Sequence, residues 1–393
     1  MPSLFTITPV QLFVGALLFV SLLYGQRDLA VLTLLVLGVI GGARLWARFS
    51  LTGVRSRLML NRALAFPGEQ VTLRVNVENA KLLPIWLEAR VPIGSESAQP
   101  AGENMLSQSG SLLWYERTQF HWELTAGRRG VYQIGPLDLR AGDLFSFFSR
   151  RARAVDSISL VVYPRLVPLQ ALAIPRRDFF GVPTTASPVQ DPIYILGTRD
   201  YQHGHPSKYI HWKASARHNR LQGKVFEPSV QEKVLLVVNV ESFAEHQAGE
   251  GFERVLEVVA SLAVRLERQG HAVGLVANGT VAGSGPAIVP VARNIEQVGV
   301  ILETLARLDM TTDGDLRDLL RSRAAAAWGI SCVYFSYQAD ETVVSAQEYL
   351  MARKTPALFF VCQSQLPEGE EGAKIQARIH ALDEIRLQGA ESG

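Results

Sequence analysis

Three histidines, His203, His205 and His211, fall in one short segment of the chain, Gly197 to Ser229. Imidazole is a common zinc ligand, but a zinc site needs three or four such groups converging. The spacing H-x-H-x5-H does not bring them together by itself, so the expectation is solvent-facing histidines and no metal. Asp200, His211 and Glu227 could supply the acid and base of a hydrolase. Such an enzyme needs a nucleophile or a pair of carboxylates, and the chain has no G-x-S-x-G elbow, no phosphate-binding P-loop and no H-E-x-x-H. Lys208, Lys213, Arg217, Arg220 and Lys224 interleave with Tyr209 and Trp212, as a stacking surface for single-stranded nucleic acid would require. A net charge of +2 argues against that partner, and the same basic groups could meet anionic lipid headgroups. No cofactor and no nucleic acid are expected.

These residues need a scaffold, and composition bounds it. The chain has 393 residues, 48% hydrophobic and 19% charged, with 39 Lys and Arg against 37 Asp and Glu. That excludes a disordered tail and leaves room for two cores and an appendage. Cys332 and Cys362 stand in apolar runs without neighbouring Cys or His, so reduced, buried thiols are expected rather than a disulfide framework.

The appendage is residues 1–50. Phe5 to Tyr24 and Leu29 to Ala43 carry no charge, and only Gly25 to Asp28 separate them. Two apolar helices in a transmembrane hairpin are predicted, the second reaching span length if Arg44 snorkels and Trp46 sits at the interface. No Lys or Arg precedes Arg27, whereas Arg44, Arg48, Arg55, Arg57 and Arg62 follow the second run. By the positive-inside rule both termini and the bulk of the chain are then cytoplasmic. A cleaved signal peptide would need a basic stretch before the first run.

Residues 51–165 read as a β-sandwich. In QVTLRVNVEN, Val71, Leu73, Val75 and Val77 alternate with polar residues, and Ile85 to Val91, Ser111 to Tyr115, Gln119 to Leu124 and Val131 to Ile134 are further predicted strands. Residues 166–230 form a linker followed by the histidine-containing segment. From 231 to 393 strands such as VLLVVN and SCVYFSY alternate with helices, which predicts a doubly wound α/β domain. Val255, Val258, Val259, Leu262 and Leu266 form a helical core stripe. Ligands on such sheets bind beyond the carboxyl ends of the strands, which directs attention to the loop after VLLVVN.

Within the segment, Arg199, Tyr201, Gly204, Ile210, Trp212, Ser215, Ala216 and Arg217 fit the pattern R-x-Y-x-x-G-D-x-x-R-x-I-x-W-x-x-S-A-R. In this the chain resembles the bacterial membrane proteins of domain of unknown function family 58, with His205 where Asp is usual and Lys208 where Arg is usual. The stretch Gly127 to Phe148 is similar to that family's second signature. The resemblance implies a membrane-anchored α+β protein with a von Willebrand factor A-like domain in the bacterial cytoplasmic membrane. It also implies a MoxR-type AAA+ ATPase as partner, and no catalytic residues.

A von Willebrand A-like domain can hold Mg²⁺ at a D-x-S-x-S loop. Here the corresponding residues are Asn239, Glu241 and Phe243, with Ser242 beside them, and a phenyl ring offers a hard cation nothing. Thr311 or Thr312 would supply a later hydroxyl, and the usual acid falls near Tyr337, so a degenerate loop without metal is expected. For Arg199, Asp200, Tyr201, His211, Trp212 and Arg217 two accounts stand. The preferred one packs them between domains with Trp212 buried, and the other exposes them as a docking site for the ATPase. The overall expectation is a non-catalytic adaptor or co-chaperone in assembly or maturation of protein complexes. The alternatives are a hydrolase at the membrane face and a metal-dependent adhesion module.

Overall fold

The computed structural model describes residues 4–95, 105–143, 148–154, 156–170, 190–201, 209–228, 233–281, 285–321, 330–363 and 379–385. The chain divides after Arg165 into two compact units.

The first unit opens with helices α1 (Leu4–Leu23) and α2 (Arg27–Phe49). The turn between them needs a left-handed residue, and Gly25 supplies it at φ +67°. Two hydroxyls are satisfied within the helices: Ser21 donates to the Leu18 carbonyl at 2.8 Å and Thr33 to that of Leu29 at 2.9 Å. Among the described residues, α2 is the one helix long and apolar enough to cross a membrane, and α1 contributes a shorter apolar stretch, Pro9–Leu23.

Ten strands follow: β1 (Val54–Leu60), β2 (Leu64–Ala65), β3 (Gln70–Asn79), β4 (Ile85–Ser95), β5 (Met105–Leu112), β6 (Arg117–Thr125), β7 (Gly130–Ile134), β8 (Asp138–Gly142), β9 (Ser149–Arg153) and β10 (Ile158–Val162). One antiparallel sheet runs β1-β3-β6, and a second runs β2-β10-β7-β4-β8-β9 with β5 beside β4. The period-2 pattern of β3 turns Val71, Leu73, Val75 and Val77 inward. They share one core with Ile85, Leu87, Ala89 and Val91 of β4 and with Leu139 and Ala141 of β8. The predicted strand Ser111–Tyr115 is corrected: β5 ends at Leu112, and Leu113, Trp114 and Tyr115 form an exposed turn. Apolarity there does not signal a core position.

The carboxyl end of α2 is fixed to this unit. Lys81, in the turn after β3, donates to the carbonyls of Phe49 at 2.9 Å and Thr52 at 2.6 Å, and also to that of Ser50. These carbonyls lie at and just past the end of the helix, and a cation beside them opposes the negative end of the helix dipole. Burial lowers the Lys81 ammonium pKa to about 8. Trp46 donates its indole N–H to the Pro84 carbonyl at 2.7 Å, and Ser50 Oγ donates to that of Ala141 at 3.0 Å.

The second unit begins with a separate ribbon, β11 (Gln190–Asp200) antiparallel to β12 (Gln222–Pro228), with helix α3 (Trp212–His218) between them. Then come β13 (Lys233–Val238), α4 (Val240–Glu245), α5 (Gly249–Arg268), β14 (Ala272–Val281), β15 (Pro286–Ala292), α6 (Gln297–Arg307), β16 (Leu308–Thr312), α7 (Leu316–Arg321), β17 (Ile330–Ser336), α8 (Glu341–Ala352), β18 (Ala357–Val361) and β19 (Ile379–Ala381). The sheet order is β15-β14-β13-β17-β18-β19, with β16 paired to the far end of β14. From β14 to β19 neighbouring strands are parallel, and β15 and β16 are antiparallel additions. The largely apolar β13, β14 and β17 are buried almost throughout. The predicted stripe of α5 is buried at all five positions.

Replacing Lys81 by Met removes the donor that serves three backbone carbonyls. The expected loss is about 1–3 kcal/mol, read as a lower denaturation midpoint of the full-length protein in detergent, with β-sheet circular dichroism retained at 20 °C.

Candidate functional site

The residues expected to matter fall in two places of the second unit: the β11-α3-β12 module and the carboxyl ends of the parallel strands.

In the module, most of the segment's distinctive residues build the fold. Asp200, near the end of β11, accepts from Gln222 Nε2 at 2.5 Å and from Arg220 at 3.0 Å. His211 is the N-cap of α3, its Nδ1 accepting from the Ala214 N–H at 3.0 Å. Ser215 Oγ donates to the His211 carbonyl at 3.1 Å and accepts from the Gln222 N–H at 2.8 Å, which joins α3 to β12. Tyr201 N–H donates to the Leu221 carbonyl at 2.8 Å, and Asn219 ends the helix in the left-handed region. Asp200 and His211 are thus engaged with structural partners, and the side chain of Glu227 lies outside the described residues. So do His203, His205 and Lys208.

Trp212 and Arg217 behave differently. The indole is 68% exposed, so it is not part of the core of its own unit, and Arg217 is exposed on the same helix, as is Arg199 at the end of β11. Trp212 thus fills no core position within its own unit. The physical reason is that α3 is held to β12 by Ser215 and His211, leaving none of its side chains buried.

At the second place, β13 is flanked by β14 on one side and β17 on the other, so the sheet order reverses there, as at ligand sites of open α/β sheets. Asp340 is the N-cap of α8: Oδ1 accepts from the Val343 N–H at 3.0 Å and the Thr342 hydroxyl at 2.5 Å, and Oδ2 accepts from Ser242 Oγ at 3.1 Å. Asn239 donates to Thr342 Oγ1 at 2.9 Å, and Asn278 Oδ1 accepts from the Val240 N–H at 2.7 Å. Asn239, Ser242 and Asn278 are buried.

Sequence reasoning located Asn239, Glu241 and Ser242 and missed Asn278, Asp340 and Thr342. The acid reaching this place is Asp340 rather than a residue at Tyr337. The signal was available, because an Asp followed by Glu341, Thr342 and an apolar helical run marks a helix start. Thr311, on β16, pairs with Thr280 instead.

This set does not fit an octahedral hard cation. Asp340 spends both oxygens on hydrogen bonds, and Phe243 is fully buried between Phe252 and Tyr337, with ring centroids 5.7 Å from each. Among the described residues no group of three or more His, Cys, Asp or Glu lies together for a metal. Nor is there an activated thiol, since burial pushes Cys332 and Cys362 each up to about 12.

At this site the ionisation of Glu241 is opposed by its surroundings. Desolvation first, then Glu245, Asp315 and Asp340, hold its carboxyl above the ordinary 4.5. Above pH 4.5 the unfolded chain releases this proton while the folded protein retains it, so stability falls as pH rises through that window. Glu241→Gln mimics the protonated side chain, so the variant should match the parent's melting temperature near pH 4 and exceed it at pH 7 in differential scanning calorimetry. Phe243→Ser restores a hydroxyl to the loop but empties a fully buried site. It should cost about 3–5 kcal/mol and give no Mg²⁺-dependent thermal shift.

Comparison with known proteins comes to the same segment. The family model described as "Protein of unknown function DUF58" matches residues 197–325, from the end of β11 past α7. The chain is 25% identical over 314 residues to the "Uncharacterized protein YeaD" of Bacillus subtilis strain 168, covering 78% of this chain and 73% of that one. Among solved structures, a β-glucosidase from Listeria innocua overlaps 28% of this chain at 13% identity and a TM-score of 0.20, and the match spans 16% of that enzyme. PapD-like domain 7 of human CEP192 overlaps 28% of this chain at 16% identity, with 83% of its own length covered and a TM-score of 0.20. The chain is therefore similar to the DUF58 proteins through its ribbon, α3 and the first half of its α/β sheet.

Proposed function

We propose that this protein is a membrane-anchored, non-catalytic interaction protein, an adaptor or co-chaperone for a MoxR-type AAA+ ATPase in the assembly or maturation of protein complexes. In this reading α1 and α2 form a hairpin through the bacterial cytoplasmic membrane, the soluble units are cytoplasmic, and residues 231–393 are a degenerate von Willebrand A-like domain. The arginines that follow α2 support the orientation.

The observation that carries the reading is the division of labour on α3. The side chains of His211 and Ser215 are consumed in holding the ribbon together, and Trp212 and Arg217 are left exposed on the same helix. Trp and Arg are the residue types that most often dominate binding energy at protein interfaces. An aromatic ring that, among the described residues, fills no core position of its unit is spare for a partner.

Purified full-length protein in detergent, assayed for binding to the MoxR-type ATPase of the same organism, tests this. Trp212→Ala should leave the melting temperature within about 2 °C of the parent, as surface changes away from packing do, and weaken ATPase binding about 30-fold or more. Ser215→Ala should do the reverse in kind, lowering stability by about 1 kcal/mol before binding is affected. Unchanged ATPase binding by a folded Trp212→Ala variant would remove α3 as the docking element.

A further inference from the structure

The two turns that close one end of the β unit carry apolar side chains outward. Leu82 stands between β3 and β4 and is 72% exposed, and Trp114 and Tyr115 stand between β5 and β6 at 60% and 64%. Isolated exposed apolar residues are ordinary, but here they gather at one edge. The Tyr115 N–H donates to the Lys81 carbonyl at 3.1 Å, and Asn79 Nδ2 donates to the carbonyls of Leu83 at 2.9 Å and Leu113 at 2.8 Å. Tyr115 is also held at φ +55°, a region that costs a non-glycine residue energy.

The same edge is where α2 arrives. Lys81 holds the last carbonyls of the helix, Trp46 donates to Pro84, and the Ala80 N–H donates to the Gly53 carbonyl at 2.9 Å. Trp46 lies three residues past Ala43, the end of the apolar run, or about 4.5 Å further along the helix axis at 1.5 Å per residue. The headgroup layer is about 5–7 Å thick on each side of the hydrocarbon. The Leu82 turn, bounded by Lys81 and Pro84, is thereby placed beside the part of α2 that leaves the hydrocarbon. Trp and Tyr are the residues that favour this layer, where an apolar ring and a polar edge are both satisfied.

We infer that the Leu82 turn and the Leu113–Tyr115 turn insert into the headgroup layer of the bilayer that α2 crosses, giving the β unit a second membrane contact. This rests on reading α2 as a membrane span. The occupant is lipid because the patch is joined to the end of that helix through Lys81 and Trp46, and the same end of the helix carries Arg44 and Arg48, which suit anionic headgroups. The contact ties the β unit to the membrane at two points and restricts its swing about the end of α2.

The test uses the full-length protein in vesicles of phosphatidylcholine and phosphatidylglycerol, with Cys362→Ser to leave the buried Cys332 as background. Single cysteines are introduced by Leu82→Cys and Trp114→Cys at the patch, Leu35→Cys in mid-α2, and Arg128→Cys at the opposite end of β6. Each is labelled with an environment-sensitive fluorophore and quenched by nitroxide-bearing lipid or by aqueous iodide. Labels at 82, 114 and 35 should be quenched at least threefold more by the lipid nitroxide than the label at 128, which iodide should quench best. If 35 reports lipid while 82 and 114 behave like 128, the inference falls and the membrane span stands. If 35 also behaves like 128, the membrane reading itself falls. Labels at 82 and 114 shielded from both quenchers would mean that protein, a second copy or a partner, covers the patch, and would overturn the inference. Two patch positions keep the test decisive if one variant fails to fold.

Discussion

The carbonyls at the end of α2 must find donors, and one ammonium group gathers three of them, at Phe49, Ser50 and Thr52. Lys81 joins the helix to the β unit through Phe49, Ser50 and Thr52, and Trp46 and Ser50 complete the seam. An apolar helix ending in a loose linker would leave the following domain free to tumble. Here the helix end is part of the β unit's own hydrogen-bonding, so the orientation of the strands follows the orientation of the helix. Burial of the amine is the cost of that seam, visible in its lowered pKa of about 8.

The α/β unit applies a related economy at two sites. Asp340 looks like the acid of a strand-end ligand site, but its oxygens cap α8 and hold Ser242 and Thr342. Asp200, His211 and Ser215 look like catalytic types, yet each is tied to a backbone or side-chain partner of the ribbon. In both places residue types associated with chemistry hold irregular connections at the ends of regular elements. The polar groups of such connections need partners, and short side chains that accept or donate locally provide them.

How much of this was legible depended on whether a residue's environment is set locally. The alternation of β3 and the stripe of α5 were, because a period of 2 or of 3.6 reports a buried face directly. The run Leu113 to Tyr115 was misread as strand because hydrophobicity alone does not say whether the apolar neighbour is protein. The antiparallel strand β15 is hidden in the sequence because Pro286 and Pro290 mask the strand pattern where an edge tolerates them. Trp212 was undecidable from sequence, because burial of a ring between elements is a long-range property. The positions of Asp340 and Thr342 likewise depend on how the chain leaves β17, which no local pattern encodes to the residue.

Among the described strands, the ribbon β11-β12 pairs only with itself. A two-stranded ribbon has little cooperative support and is marginal in water. Its opening free energy is therefore set by a few side-chain locks, chiefly those of Asp200 and Ser215, rather than by the stability of the neighbouring sheet. Any molecule that grips α3 only when the ribbon is closed adds its binding free energy to that balance, about 2.7 kcal/mol at a hundredfold excess over Kd. Occupancy of α3 and order in the ribbon are then one linked equilibrium, so the ribbon reports ligation as a change in its own protection from solvent exchange.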